Sequence, residues 1–160
     1  MVREAATRLY DVDKHSVVNK RLNQSDKYDI GTIMIRPKQG KLIDLDQLHE
    51  SIWATRLSGG TSSGLVSLDV TAVGEAVIDK NEAILKVAGS DAHFVLGKHP
   101  DEKHQSAFDE LRSALDRGEK VTSVSGRIDG WAGRWPDVLR KLSSQPRRIL
   151  VSEFETAKEK

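Results

Sequence analysis

The chain contains no cysteine, which removes disulfide bridges, thiol nucleophiles, iron–sulfur clusters and Cys-based zinc sites together. It is also poor in proline, with four, and in aromatic residues, with three Trp, two Tyr and three Phe. No apolar run approaches the ~20 residues that cross a bilayer as a helix. Met1–Leu22 lacks the apolar core of a signal peptide, because acids and bases interrupt it throughout. An excess of either charge is missing too: 25 Lys+Arg face 24 Asp+Glu, a formal net charge of +1. General nucleic-acid binders usually carry a clear basic excess, so such a role would have to rest on a local patch. What is present, 38% hydrophobic and 31% charged residues over 160 positions, suits a soluble globular protein of one compact domain or two very small ones. The chain as written fits the cytoplasm, or export if a signal peptide was trimmed ahead of it.

The first 27 residues show neither a clean helical nor a clean strand period, and read as a flexible leader or a segment that merely lies on the domain. Order begins near Tyr28, where Ile30, Thr32, Met34 and Arg36 alternate in a β-rich run that Pro37 stops. A helix is predicted next. Asp44 is its N-cap, Gln47 closes a capping box, Ile43 staples onto Leu48, and Gly59-Gly60 ends it. Leu45, Leu48 and Ile52 share one face, with Trp53 beside them.

Leu65–Ile78 reads as one very long strand. Val66, Leu68, Val70 and Ala72 are in phase, and the apolar phase then slips by one to Val73 and Val77, with Gly74 at the slip. A slip beside a glycine is what a β-bulge produces, so the strand is expected to bend there and serve two sheets or close one. The turn Asp79-Lys80-Asn81, a strand Ala83–Val87, the turn Gly89-Ser90-Asp91 and a strand His93–Leu96 follow as a meander. A helix is predicted over Ala107–Arg117, capped by Ser106 and Asp109, with Phe108, Leu111 and Leu115 as its buried stripe and Gly118 as C′ residue. Then come a strand near Lys120–Asp129, a short helix Asp137–Leu142 between Pro136 and Pro146, a strand Arg148–Phe154 and a solvated tail, Glu155–Lys160.

From Leu65 to Phe154 the order is long strand, strand, strand, helix, strand, loop, strand, with Val70-Thr71-Ala72-Val73-Gly74 in the first strand and Gly126 within Val121–Ile128 of the fourth. This pattern resembles the OB-fold, a five-stranded barrel with a helix between its third and fourth strands. Ahead of it, Ile33-Met34-Ile35-Arg36, Leu42 to Leu48 and the helix to Gly59 resemble the second half of a heavy-metal-associated, ferredoxin-like domain. That family's metal loop is Cys-x-x-Cys, and with no cysteine its metal site transfers to no residue here. The expected fold is therefore α+β: a strand–helix–strand element over residues 28–64, then an OB-like barrel over 65–155, fused into one body over 28–155 if the long strand serves both.

The stretch Arg127–Arg148 holds Arg127, Arg134, Arg140, Lys141, Arg147 and Arg148 against only Asp129 and Asp137, with Trp131 and Trp135 among them. In OB-folds that bind oligonucleotides or oligosaccharides this loop borders the binding face. Arginines pair with phosphates, and indoles stack on bases or sugars. Arg127, Trp131, Arg134, Trp135, Arg140 and Lys141 are thus the candidate ligand-binding residues. The plainer alternative, and the preferred one, has both indoles plugging the barrel end while the cations stay solvated. His93, His99 and His104 have acids nearby, but their spacing matches no ligand motif and a solvated loop explains them better. Gly59-Gly60-Thr61-Ser62-Ser63-Gly64 has a helix before it and a strand after, the reverse of a phosphate loop.

No Gly-x-Ser-x-Gly, His-Glu-x-x-His or acidic calcium loop occurs, and pairs such as Asp44/Asp46 and Asp109/Glu110 suit helix starts. The reading is a non-enzymatic binding or structural module without a cofactor, with a protein partner as one candidate and a place as accessory part of a larger or exported system. Single-stranded nucleic-acid or oligosaccharide binding through residues 127–148 is the alternative. A small hydrolase with a dispersed carboxylate site comes third.

Overall fold

A computed structural model describes residues 18–24, 29–34, 47, 68–128 and 148–157 of the chain. The chain divides into two units, Met1–Gly64 and Leu65–Lys160. In the first, β1 (Val18–Gln24) and β2 (Asp29–Met34) pair antiparallel from Val18↔Met34 to Gln24↔Asp29, with a register shift between Arg21 and Asn23. β2 is the β-rich run that ends before Pro37. β1 lies within the first 27 residues, where the apolar pattern alone suggested a leader; backbone pairing to β2 holds it extended without an alternating sequence. Gln47 is helical and exposed. The rest of the helix expected from Asp44 to Gly59, and with it most of the heavy-metal-domain resemblance, lies outside the described residues, as does Gly59–Gly64.

The second unit is mixed α/β, mostly strand, with one α-helix among the described residues. Its strands are β3 (Asp69–Asp79), β4 (Glu82–Val87), β5 (His93–Lys98), β6 (Val121–Ile128) and β7 (Arg148–Thr156). They pair in the cyclic order β3-β4-β5-β7-β6, and β6 returns to β3. β5 and β7 run parallel; the other neighbours are antiparallel. Leu85, Val121, Val124, Ile149 and Val151 of these strands are fully buried, as is Leu111 of the helix.

β3 serves two neighbours, and the exchange falls at Gly74. Asp69–Val73 pair with β6, from Asp69↔Arg127 to Val73↔Ser123. Gly74–Asp79 pair with β4, from Gly74↔Val87 to Asp79↔Glu82. The expected bulge is not there: neither register of β3 shifts, and the alternation that turns Val70, Ala72 and Gly74 inward continues to Ala76. The slip read from the sequence came from Val73, which is not a core residue but is 61% exposed on the other face. Glycine answers a different need. A Cβ at residue 74 would stand 2.0 Å from the Lys86 carbonyl oxygen, so the backbones of β3 and β4 approach too closely for any side chain. The bulges fall instead on β6–β7, between Val121 and Ser123 and between Ser125 and Gly126. The first lets Val121 and Val124 both point into the core although they are three residues apart.

The β3–β4 hairpin turns on Lys80 (φ 48°) and Asn81 (φ 70°), the two positive-φ positions of a type I′ loop. Asn tolerates that region and its Oδ1 accepts a bond from Arg112 Nη2 at 3.2 Å, whereas Lys80 holds it at a steric cost. Lys80→Gly is therefore expected to stabilise the protein by about 0.5–1 kcal/mol. Urea unfolding should show a higher midpoint; an unchanged or lower one would contradict the assigned turn.

Between β5 and β6 the chain makes a 3-10 turn, Glu102–His104, and then α1 (Gln105–Asp116). The start differs from the expected Ser106–Asp109 cap: His104 precedes the helix without a side-chain cap, while Asp101 Oδ1 accepts the Lys103 amide at 3.1 Å and caps the 3-10 turn. The buried face is Ala107, Leu111 and Ala114, with Phe108 and Leu115 half-buried at its flanks. Leu111 is the one large side chain of that face, with alanines on either side of it. The helix end is as expected. Gly118 (φ 79°) donates to Leu115 and Glu119 to Ala114, a complete Schellman motif. β7 runs on to Thr156, so Glu155 and Thr156 are paired strand rather than solvated tail.

Candidate binding face

In paired strands, residues in register share a face. Ala76, Leu85, Leu96, Ile149 and Val151 are at most 5% exposed and define the inside of the ring. The alternate residues therefore line its outside, and registers connect them into rows. One row runs Val77–Ile84–Val95–Arg148 across β3, β4, β5 and β7. A second runs Gly97–Leu150–Arg127–Asp69 across β5, β7, β6 and β3. A third is Glu75–Lys86–His93. Three half-buried β-branched side chains thus sit side by side on the outer surface, with Arg148 at their end and Lys86 and His93 in the row beside them.

Arg127 faces outward on β6, where its Nε donates to Asp69 Oδ1 at 3.3 Å. Both partners are largely exposed, and pairs of that kind contribute about 0–1 kcal/mol. The guanidinium is accordingly held loosely at the surface. Ile128 pairs with Ile149, so the connection 129–147 leaves the ring between two outward arginines, Arg127 and Arg148. The other candidate residues, Trp131, Arg134, Trp135, Arg140 and Lys141, belong to that connection and lie outside the described residues.

The three histidines separate. His93 opens β5, exposed and opposite Lys86. His99 and His104 come together past the other end of β5, ring centroids 5.1 Å apart and edge to face at 74°. The solvated loop expected for them does not hold for His99, which is only 5% exposed. Burial holds its imidazole below the ordinary value of 6.5, and the charges of Arg127 and His104 act in the same direction against the weaker pull of Asp101 and Asp69. The Asp101 carboxyl is also lowered, chiefly by the Lys103 amide it accepts. The Asp101 backbone N–H donates to His99 Nδ1 at 3.0 Å. That bond puts the proton of the neutral ring on Nε2, so in this arrangement neither nitrogen of His99 has a lone pair for a metal. Among the described residues, no three His, Asp or Glu side chains converge on a metal-sized site.

An open groove of about 600 Å³ runs between α1 and the end of β7, with Phe154 in its lining. Two acids on its rim are engaged in surface pairs, Asp109 with Lys98 at 2.8 Å and Glu119 with Arg117 at 2.7 Å. Asp109 and Glu110 are neighbours on α1, not a pair facing one another across a cleft.

The outer row is not legible in the sequence, because Val77 falls in the apparent phase slip while Ile84 and Val95 lie in short runs whose apolar residues occupy both phases. The signal it does leave is three β-branched residues, one on each of three consecutive strands, all out of phase with the core. Comparison with known protein families, curated proteins and solved structures returns no match. The site is therefore argued from its own chemistry.

Proposed function

We propose that the second unit is an OB-like barrel that acts by binding rather than by reaction. Its ligand-facing surface comprises the outer rows of β3, β4 and β5 together with the connection 129–147. The observation that carries this reading is the strand order. Numbered within the ring, the strands run 1-2-3-5-4 and return to the first, the third and fifth are parallel, and a helix joins the third to the fourth. In barrels of that kind the faces of the second and third strands and the loop between the fourth and fifth meet the ligand. Here those parts are the Ile84–Val95 pair and residues 129–147.

A second reading, favoured by the placement of Arg127 and Arg148 where that loop begins and ends, makes the ligand a single-stranded nucleic acid or an oligosaccharide. Arginines would hold the backbone or hydroxyl groups, and Trp131 and Trp135 would stack on bases or sugar rings, at about 1–3 kcal/mol per stacked base. The ligand test uses tryptophan emission of the full chain. A short oligothymidylate should quench it at low salt and lose that effect steeply as salt rises, while a gluco-oligosaccharide should do so without salt dependence. If neither probe changes emission or backbone amide shifts of Ile84, Val95 and Arg127 at millimolar concentration, nucleic-acid or oligosaccharide binding through this face is wrong.

A further inference from the structure

The geometry points to His99 as a pH-operated latch on the connection between β5 and α1: neutral, its Nδ1 holds the Asp101 backbone amide, and protonated, it must let that amide go. The argument begins with the bond. Nδ1 accepts the Asp101 N–H at 3.0 Å, and a second proton can be added to the ring only at that nitrogen. An imidazolium would turn N–H against N–H, so protonation and the closed turn exclude each other.

The surroundings reinforce the exclusion. His99 is 5% exposed, so the charged form has little water to lean on. Among the described residues, Arg127 on β6 and His104 on the 3-10 turn face it as cations or potential cations, and Asp101 in the turn and Asp69 on β3 face it as acids. Burial and the two basic groups outweigh the acids, and the imidazole is lowered. The sign follows. Between the ordinary value of 6.5 and the lowered one, the opened turn binds a proton that the closed turn does not. The closed turn is therefore stable above pH 6.5 and is weakened as pH falls below it, until the folded value is reached.

What the latch controls is the entry to α1. Asp101 caps the 3-10 turn through Lys103, and its carbonyl accepts the His104 amide at 2.9 Å. Release of the Asp101 amide therefore loosens three successive bonds ahead of the helix that carries Leu111 into the core. The same charge also repels Arg127, so acid disturbs the neighbouring outer face.

Amide hydrogen exchange of the full chain tests this. Protection of the Asp101, Lys103 and His104 amides, corrected for the intrinsic pH dependence of exchange, should fall by up to about tenfold per pH unit below 6.5. Protection of Val124 and Val151 should stay level. In His99→Asn the side-chain oxygen can still accept the Asp101 amide but cannot titrate, and the pH dependence should vanish. Should that variant fail to fold, ring nitrogen shifts of the wild-type protein decide, since neutral His99 must carry its proton on Nε2. A neutral ring protonated on Nδ1, or Asp101 protection unchanged from pH 7 to pH 5, would overturn the latch.

Discussion

Gly74→Ala is expected to destabilise the protein by at least about 3 kcal/mol, because the clash it creates is with the backbone of the neighbouring strand β4. The added Cβ would lie 2.0 Å from the Lys86 oxygen, 2.9 Å from its carbonyl carbon and 3.1 Å from the Val87 Cα. None of these atoms can rotate away as a side chain would. Relief requires β3 and β4 to separate at Gly74↔Val87, which is also where β3 changes partner and where Ala88 N–H donates to the Val73 carbonyl at 2.9 Å. Both halves of β3 would feel the displacement. Gly89→Ala is the matched control. Gly89 has φ 73° but nothing within 4 Å of a new Cβ, so only backbone strain is added, about 1 kcal/mol. Urea or thermal unfolding of the two variants should rank them in that order. A Gly74→Ala protein within about 0.5 kcal/mol of wild type would show that the close approach of β3 to β4 is not real.

Leu111→Ala should cost about 3–4 kcal/mol, within the range of buried leucine truncations. Leu111 is fully buried, and the other buried residues of α1, Ala107 and Ala114, have no volume with which to fill the space it would leave. The ring cannot collapse inward easily either, since hydrogen bonding between strands fixes its dimensions. Phe108 and Leu115 are only half-buried on the flanks of the helix, and truncating Leu115 should cost clearly less. Equal losses at 111 and 115 would return the helix to the stripe expected from its sequence and would contradict the alanine-lined face.

That contrast shows where the sequence was informative. The order of the described elements of the second unit, a turn at Asp79-Lys80-Asn81 and the Gly118 helix end were legible, because each depends on local backbone chemistry: alternation, turn-forming residues or a helix stop. The short helix expected at Asp137–Leu142 lies outside the described residues. The helix face was legible only at its centre, where Leu111 is buried as expected; Ala107 and Ala114 take the places beside it, with Phe108 and Leu115 at the flanks. Leucine and phenylalanine advertise a core position more loudly than alanine. Nor was the behaviour of β3 legible in detail. Val73 and Val77 are good strand formers on either face, so their phase said nothing about which way they point, and Gly74 marked a close backbone approach rather than an inserted residue. The bulges of β6 and β7 lie in serine-rich stretches, Val121-Thr122-Ser123-Val124-Ser125 and Val151-Ser152, where hydrophobic phase gives no warning. Burial of His99 depends on the turn after β5, which one-dimensional spacing does not encode. At the candidate site, Arg127 is a candidate from its basic neighbourhood alone, while the Val77–Ile84–Val95 row needed the registers to become visible.

The account rests on the closure of five strands through a parallel contact between β5 and β7. Cross-strand nuclear Overhauser effects in a deuterated, methyl-labelled sample of the full chain measure it directly. The account predicts contacts of Leu96 with Ile149 and of Gly97 with Leu150 in parallel register, together with Ala72–Val124 and Ala76–Leu85 on the two halves of β3. An edge strand at β5, with the β3 and β4 contacts intact but none to β7, would contradict the closed ring and the binding face built upon it.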